Sequence, residues 1–149
     1  MKRQIMAGLV VGSLATVGPA GCGTGDGAAR QVSSECRTKA GTGGAGRCAL
    51  GLSLVGVTAY DYVVHGPSLP VLSGGVQLDV YVQTERADVR VSWRDPDGKD
   101  VATVVTSGKP QSLHGVVVVQ DQSGEQGFTI RFQLSGAGSS TVDAAIVYG

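Results

Sequence analysis

Alternation of apolar and polar residues, repeated along the chain, constrains the fold of this 149-residue sequence more than any other feature. Val76, Leu78, Val80 and Val82 alternate with Gln77, Asp79, Tyr81 and Gln83. Val89, Val91 and Trp93 alternate with Arg90, Ser92 and Arg94, and Phe128, Ile130, Phe132 and Leu134 with Thr129, Arg131 and Gln133. Successive side chains of a strand point to opposite faces, so a period of two gathers each apolar set on one face. Strands with one wet face belong to antiparallel sheets. Leu50, Leu52 and Leu54, and Val142, Ala144, Ile146 and Tyr148, repeat the pattern nearer the two ends. Residues 58–64, 101–106 and 113–120 predict three more strands. The unbroken valines at 116–119 suggest one covered on both faces.

Chain-breaking residues separate these segments. His65-Gly66-Pro67-Ser68-Leu69-Pro70 cannot sit inside a ladder. In Asp95-Pro96-Asp97-Gly98 the proline presets φ and the glycine takes a positive φ, which predicts a tight reversal. About eight short strands, and no helical pattern after the first residues, predict an all-β fold. The expected form is a single antiparallel β-sandwich, immunoglobulin-like or jelly-roll-like, with Trp93, Phe128 and Phe132 as its bulky core residues. A small closed barrel is the alternative. Residues 76–134, with Asp-Pro-Asp-Gly-Lys followed by Gly127-Phe128-Thr129-Ile130-Arg131-Phe132, resemble the GOLD and pre-peptidase C-terminal β-sandwiches. That resemblance implies a binding or accessory module and carries over no functional residue.

The N-terminus reads as an export signal. Lys2 and Arg3 precede an apolar stretch over residues 5–18, too short to span a bilayer, and Pro19-Ala20-Gly21 places small residues before Cys22. This ending resembles the lipobox of bacterial lipoproteins, in which the cysteine is acylated and becomes the mature N-terminus. Pro19 stands where that family carries an aliphatic residue, and a plain signal-peptidase cut after Ala20 is the alternative. Cysteine arithmetic agrees with the anchor. Once Cys22 is lipidated, Cys36 and Cys48 remain as a pair in an oxidising compartment, where a disulfide persists. The expected organisation is a signal peptide at 1–21, a flexible lipid-anchored tether at 22–35 and the β-sandwich at 36–149.

Charge and residue usage exclude several functions. Without Lys2 and Arg3 the chain is slightly acidic, which provides no electrostatic footprint for nucleic acid. A blue-copper site is excluded because both methionines, Met1 and Met6, lie in the signal and the cysteines are expected to pair. No cofactor is expected. Asp95, Asp97 and Asp100 alternate as Ca²⁺ ligands do, but no glutamate closes the loop and Lys99 lies inside it, so a plain hairpin turn is the simpler reading. No Gly-x-Ser-x-Gly elbow occurs, and His65 and His114 stand apart from any evident nucleophile. Tyr60, Tyr62 and Tyr81 are candidates for contact with a sugar or peptide, against packing of Tyr60 or Tyr62 in the core. Together these features predict a non-catalytic binding, accessory or structural lipoprotein of the cell envelope, exported, lipid-anchored in the cell membrane or outer membrane and facing outside the cytoplasm. Its expected partners are the membrane, through the lipid, and an envelope protein or polysaccharide. A small hydrolase using His65 or His114, and a Ca²⁺-stabilised adhesion module, are the alternatives.

Overall fold

The computed structural model describes residues 28–39, 45–65, 75–122 and 125–149. Regular structure among them is entirely β. Ten strands run β1 (Ala28–Thr38), β2 (Gly46–Val55), β3 (Ala59–His65), β4 (Val76–Thr84), β5 (Val89–Arg94), β6 (Asp100–Val105), β7 (Gln111–Val117), β8 (Gln120–Gln122), β9 (Glu125–Leu134) and β10 (Ser139–Tyr148). Sheet A has the order β1-β2-β10-β4-β7 and sheet B the order β3-β9-β5-β6, with β8 paired to β9. All pairings are antiparallel. The two sheets stay open at their edges, so the protein is a β-sandwich and not the closed barrel.

The alternation decides which side chains meet between the sheets. Leu50, Leu52 and Leu54 of β2, Leu78, Val80 and Val82 of β4, and Val142 and Ile146 of β10 turn inward from sheet A. Val89, Val91 and Trp93 of β5 and Phe128, Ile130 and Phe132 of β9 meet them from sheet B, all buried as expected. Each such side chain contributes about 1.5–3 kcal/mol on leaving water. Trp93 spans the gap to sheet A, where a Cβ at Gly115 of β7 would stand only 2.7 Å from its ring. The glycine there makes room for the indole. The valine run is not covered evenly. β7 ends at Val117, with Val117 and Val119 buried and Val116 and Val118 only half-buried. The Asp95–Lys99 reversal is a plain turn, with Gly98 at φ 81° and the Lys99 amide donating to Asp95 Oδ1 at 2.8 Å.

Two strands correct the expected organisation. Residues 28–35, expected to belong to the tether, form most of β1, so the sandwich includes them as well as residues from 36 on. β1 lies at the edge of sheet A and is exposed along almost its whole length, so it carries no apolar period. Ladder bonds to β2 and the Cys36–Cys48 disulfide hold it instead. A bulge at Val32 absorbs one residue of register and keeps Gln31 on the same side as Ser34 and Cys36. The second addition is β8, three polar residues paired with the start of β9 in a segment expected to be a loop. The expected signal peptide, Cys22 and the first part of the expected tether lie outside the described residues.

Candidate functional site

Because the inner faces are filled, binding chemistry must sit on the outer faces or at the edges. Strand order and register fix what those outer faces present. On sheet A, Tyr81 of β4 stands opposite Ala145 of β10, which stands opposite Ala49 of β2. The next row joins Gln83, Asp143, Gly51 and Ser33. Small side chains at three neighbouring positions leave a depression of about 290 Å³, lined by Ser33, Ala49, Ala145, Asp143 and Tyr81. Tyr81 is 46% exposed and forms its aromatic wall. Ser33 covers Gly51, since a Cβ at that glycine would come within 2.6 Å of the serine hydroxyl. On the opposite side of Tyr81, Asp79 hydrogen-bonds His114 Nδ1 across β4 and β7.

Sheet B presents different chemistry. Asp61 of β3, Arg131 of β9, Ser92 of β5 and Ala102 of β6 form one row. Gln133, Arg90 and Val104 form the next. Arg131 donates to both Asp61 oxygens, from Nε at 2.6 Å and Nη2 at 2.8 Å. These bonds hold the Asp61 carboxyl below the usual carboxylate range and raise the Arg131 guanidinium further above its own. Arg94 Nε lies 3.5 Å from Asp100. Arg90 has no acidic partner among the described residues. These side chains, with Thr129 and Gln133, border a groove of about 290 Å³.

The structure distributes the residues singled out from sequence. Tyr62 is buried; its hydroxyl shares a 2.8 Å hydrogen bond with Ser34 Oγ and lies 3.1 Å from Cys36 Sγ. Tyr60 is half-buried and donates to Gln31 Oε1 at 3.0 Å. Burial pushes its phenol above the ordinary tyrosine range, with Tyr62 nearby adding to the effect. Both rings therefore tie β3 to β1, and only Tyr81 faces outward as a contact residue. Asp95 is occupied by its turn and Asp100 by Arg94. Among the described residues no three His, Cys, Asp or Glu side chains gather as a metal site. His65 is exposed at the end of β3, opposite Gly127. His114 has its carboxylate in Asp79, but among the described residues no hydroxyl or thiol is hydrogen-bonded to it.

Ser33, Ala49, Asp143 and Ala145 were not among the sequence candidates. The usable signal was the parity of the alternation, which turns Ala49 and Ala145 outward at positions where strands usually carry larger side chains.

No protein-family model matches the chain, and no curated protein matches it. Among solved structures it is similar to Peruvianin-I, a cysteine peptidase from Thevetia peruviana latex, at 10% identity over 67% of this chain and 49% of that one, with a TM-score of 0.40. It is similar to a recombinant oxalate oxidase in complex with glycolate at 8% identity, covering 84% of this chain and 52% of the other, with a TM-score of 0.42. The chain spans about half the length of these two. TmCBM61 in complex with beta-1,4-galactotriose matches at 12% identity over 83% of this chain and 87% of that one, with a TM-score of 0.39. Likenesses this distant assign neither activity nor ligand to this chain.

Proposed function

We propose that this protein is a non-catalytic binding module, exported and lipid-anchored through Cys22, that holds a neutral polysaccharide on the outer face of sheet A. One observation carries the reading: the exposed ring of Tyr81 rises beside the alanine floor of Ala49 and Ala145. A pyranose offers a flat C–H face to such a ring and polar hydroxyls at its rim, which matches the amphipathic character of tyrosine. Asp143, Gln83 and the Asp79–His114 pair surround the ring with the donors and acceptors those hydroxyls need. The same histidine would serve a hydrolase only with a nucleophile beside it. Its pairing with Asp79 fits an orienting, hydrogen-bonding role better.

The binding half is tested by affinity electrophoresis through gels containing neutral β-1,4-glucan or β-1,4-galactan. Wild-type protein is expected to be retarded in one of these, and Tyr81→Ala to lose about tenfold in affinity, or about 1.4 kcal/mol. Equal retardation of both proteins would remove Tyr81 from the site. Retardation of neither, with crosslinking to an envelope protein in the host, would replace the polysaccharide by a protein partner. The anchoring half is tested by the intact mass of protein extracted from host membranes. An acylated chain starting at Cys22, absent in Cys22→Ser, is expected. An unacylated chain starting at Gly21 would contradict the anchor.

A further inference from the structure

We propose that the outer face of sheet B carries a second, separate site that binds a carboxylate-bearing sugar chain. Arg131 spends Nε and Nη2 on Asp61, which fixes the guanidinium and leaves Nη1 to face a ligand. Arg94 meets Asp100 through Nε alone, leaving both of its Nη groups. Arg90, in the adjacent strand, makes no side-chain hydrogen bond among the described residues, which leaves its five donors for a ligand. Ladder spacing puts facing side chains about 5 Å apart and diagonal neighbours at about 7–8 Å, so the Arg131 and Arg90 forks converge on one groove.

Charge and floor then select the ligand. Three guanidiniums against the two carboxylates Asp61 and Asp100 leave a surplus of one positive charge, which suits a monoanion. A planar carboxylate matches the guanidinium fork in a bidentate pair. The floor is not apolar. Ser92 and Thr129 offer hydroxyls, and Gln133, whose amide nitrogen donates to the Val57 carbonyl at 2.9 Å, turns its oxygen to other use. Groups that both donate and accept suit sugar hydroxyls. An acidic peptide would find apolar surface for its other side chains only at the β6 rim, at Ala102 and Val104, outside the groove lining. Two ion pairs hold the flanking arginines in place, which lowers the ordering cost on binding.

The test is electrophoresis of the whole chain through gels containing polygalacturonate, with fully methyl-esterified pectin and poly-glutamate as parallel gels. Wild type is expected to be retarded by polygalacturonate alone. Arg90→Gln should weaken that binding about tenfold, and Arg90→Lys should recover only part of it, because the charge returns without the fork. Arg47→Gln, an exposed residue of β2 on the outer face of sheet A opposite Val147, should change it less than twofold. Tyr81→Ala should leave it unchanged while weakening neutral-polysaccharide binding about tenfold, which separates this site from the one on sheet A. Unimpaired binding by Arg90→Gln, or an equal loss with Arg47→Gln, would overturn the site. Equal retardation in esterified pectin would overturn the carboxylate, and equal retardation in poly-glutamate would overturn the sugar. Arg90 is exposed, and an unchanged melting temperature for its variants shows that any loss is one of binding.

Discussion

Around its depression sheet A turns outward an aromatic ring, two alanines and a carboxylate, with Arg37 and Arg47 further along the face, whereas the sheet B groove gathers three guanidiniums, two of them held by aspartates. Both faces rest on the same core and the same period of two. The inner positions must fill one shared space, which leaves them little chemical freedom. The outer positions answer only to solvent and neighbours, so two kinds of surface can stand on one scaffold without cost to the core. The faces also differ in how they are held. The far wall of the sheet A depression is Ser33 on β1, a strand secured by a disulfide rather than by burial. The sheet B groove is framed by ion pairs on strands fixed by the core.

The largest expected effect follows from that difference. Replacing both Cys36 and Cys48 with serine should cost about 3 kcal/mol of stability for a loop of this length, read from denaturant unfolding. Sheet A should suffer first. Hydrogen exchange should rise along β1 and β2 before it rises along β5 and β9, and neutral-polysaccharide binding should weaken more than polygalacturonate binding. Equal loosening of both sheets would break the comparison.

Exchanging the two losses gives the next effect. In Tyr81→Ala and Arg90→Gln, each face should lose about tenfold in affinity for its own polymer and keep the other's. A variant that loses both would join the two surfaces into one site.

The smallest effect is the pH dependence of the Asp61–Arg131 pair at the acid end. Arg131 lowers the Asp61 pKa in the folded chain, so this pair stabilises the fold above the unfolded carboxylate pKa of about 4 and ceases to do so as pH falls through the folded value. The difference in stability between wild type and Asp61→Asn should be under about 1 kcal/mol at neutral pH, as for an exposed pair, and should close as pH falls through the folded Asp61 pKa. At the alkaline end both sheets respond alike. Burial raises Tyr60 and Tyr148 above the ordinary range, so the unfolded chain ionises first and stability falls above about pH 10.

The fold was legible wherever a strand has one dry face. β2, β4, β5, β9 and β10 announce themselves by period, and Trp93, Phe128 and Phe132 lie in the core as expected. β1 was illegible because a strand wet on both sides has no period, and its stability comes from pairing and a crosslink. β8 is too short and polar to differ from a loop. The candidate sites were legible only in part. Parity puts Tyr81 outward beside Val80 and Val82, and puts Tyr60 and Tyr62 inward with Val64. The company of Tyr81 depends on β10 lying between β2 and β4, and that of Arg90 on β9 lying beside β5. Strand order rests on contacts far apart in sequence, which local alternation does not encode.

The binding surface proposed on the outer face of sheet A is centred on Tyr81, and amide chemical-shift mapping of the ¹⁵N-labelled chain reads it residue by residue during titration with soluble β-1,4-linked glucose and galactose hexaoses. One of them is expected to shift Tyr81, Ala145, Asp143, Ala49 and Ser33 together, leaving β5 and β9 still. Shifts centred on Arg90 and Arg131, or none with either sugar, would contradict it.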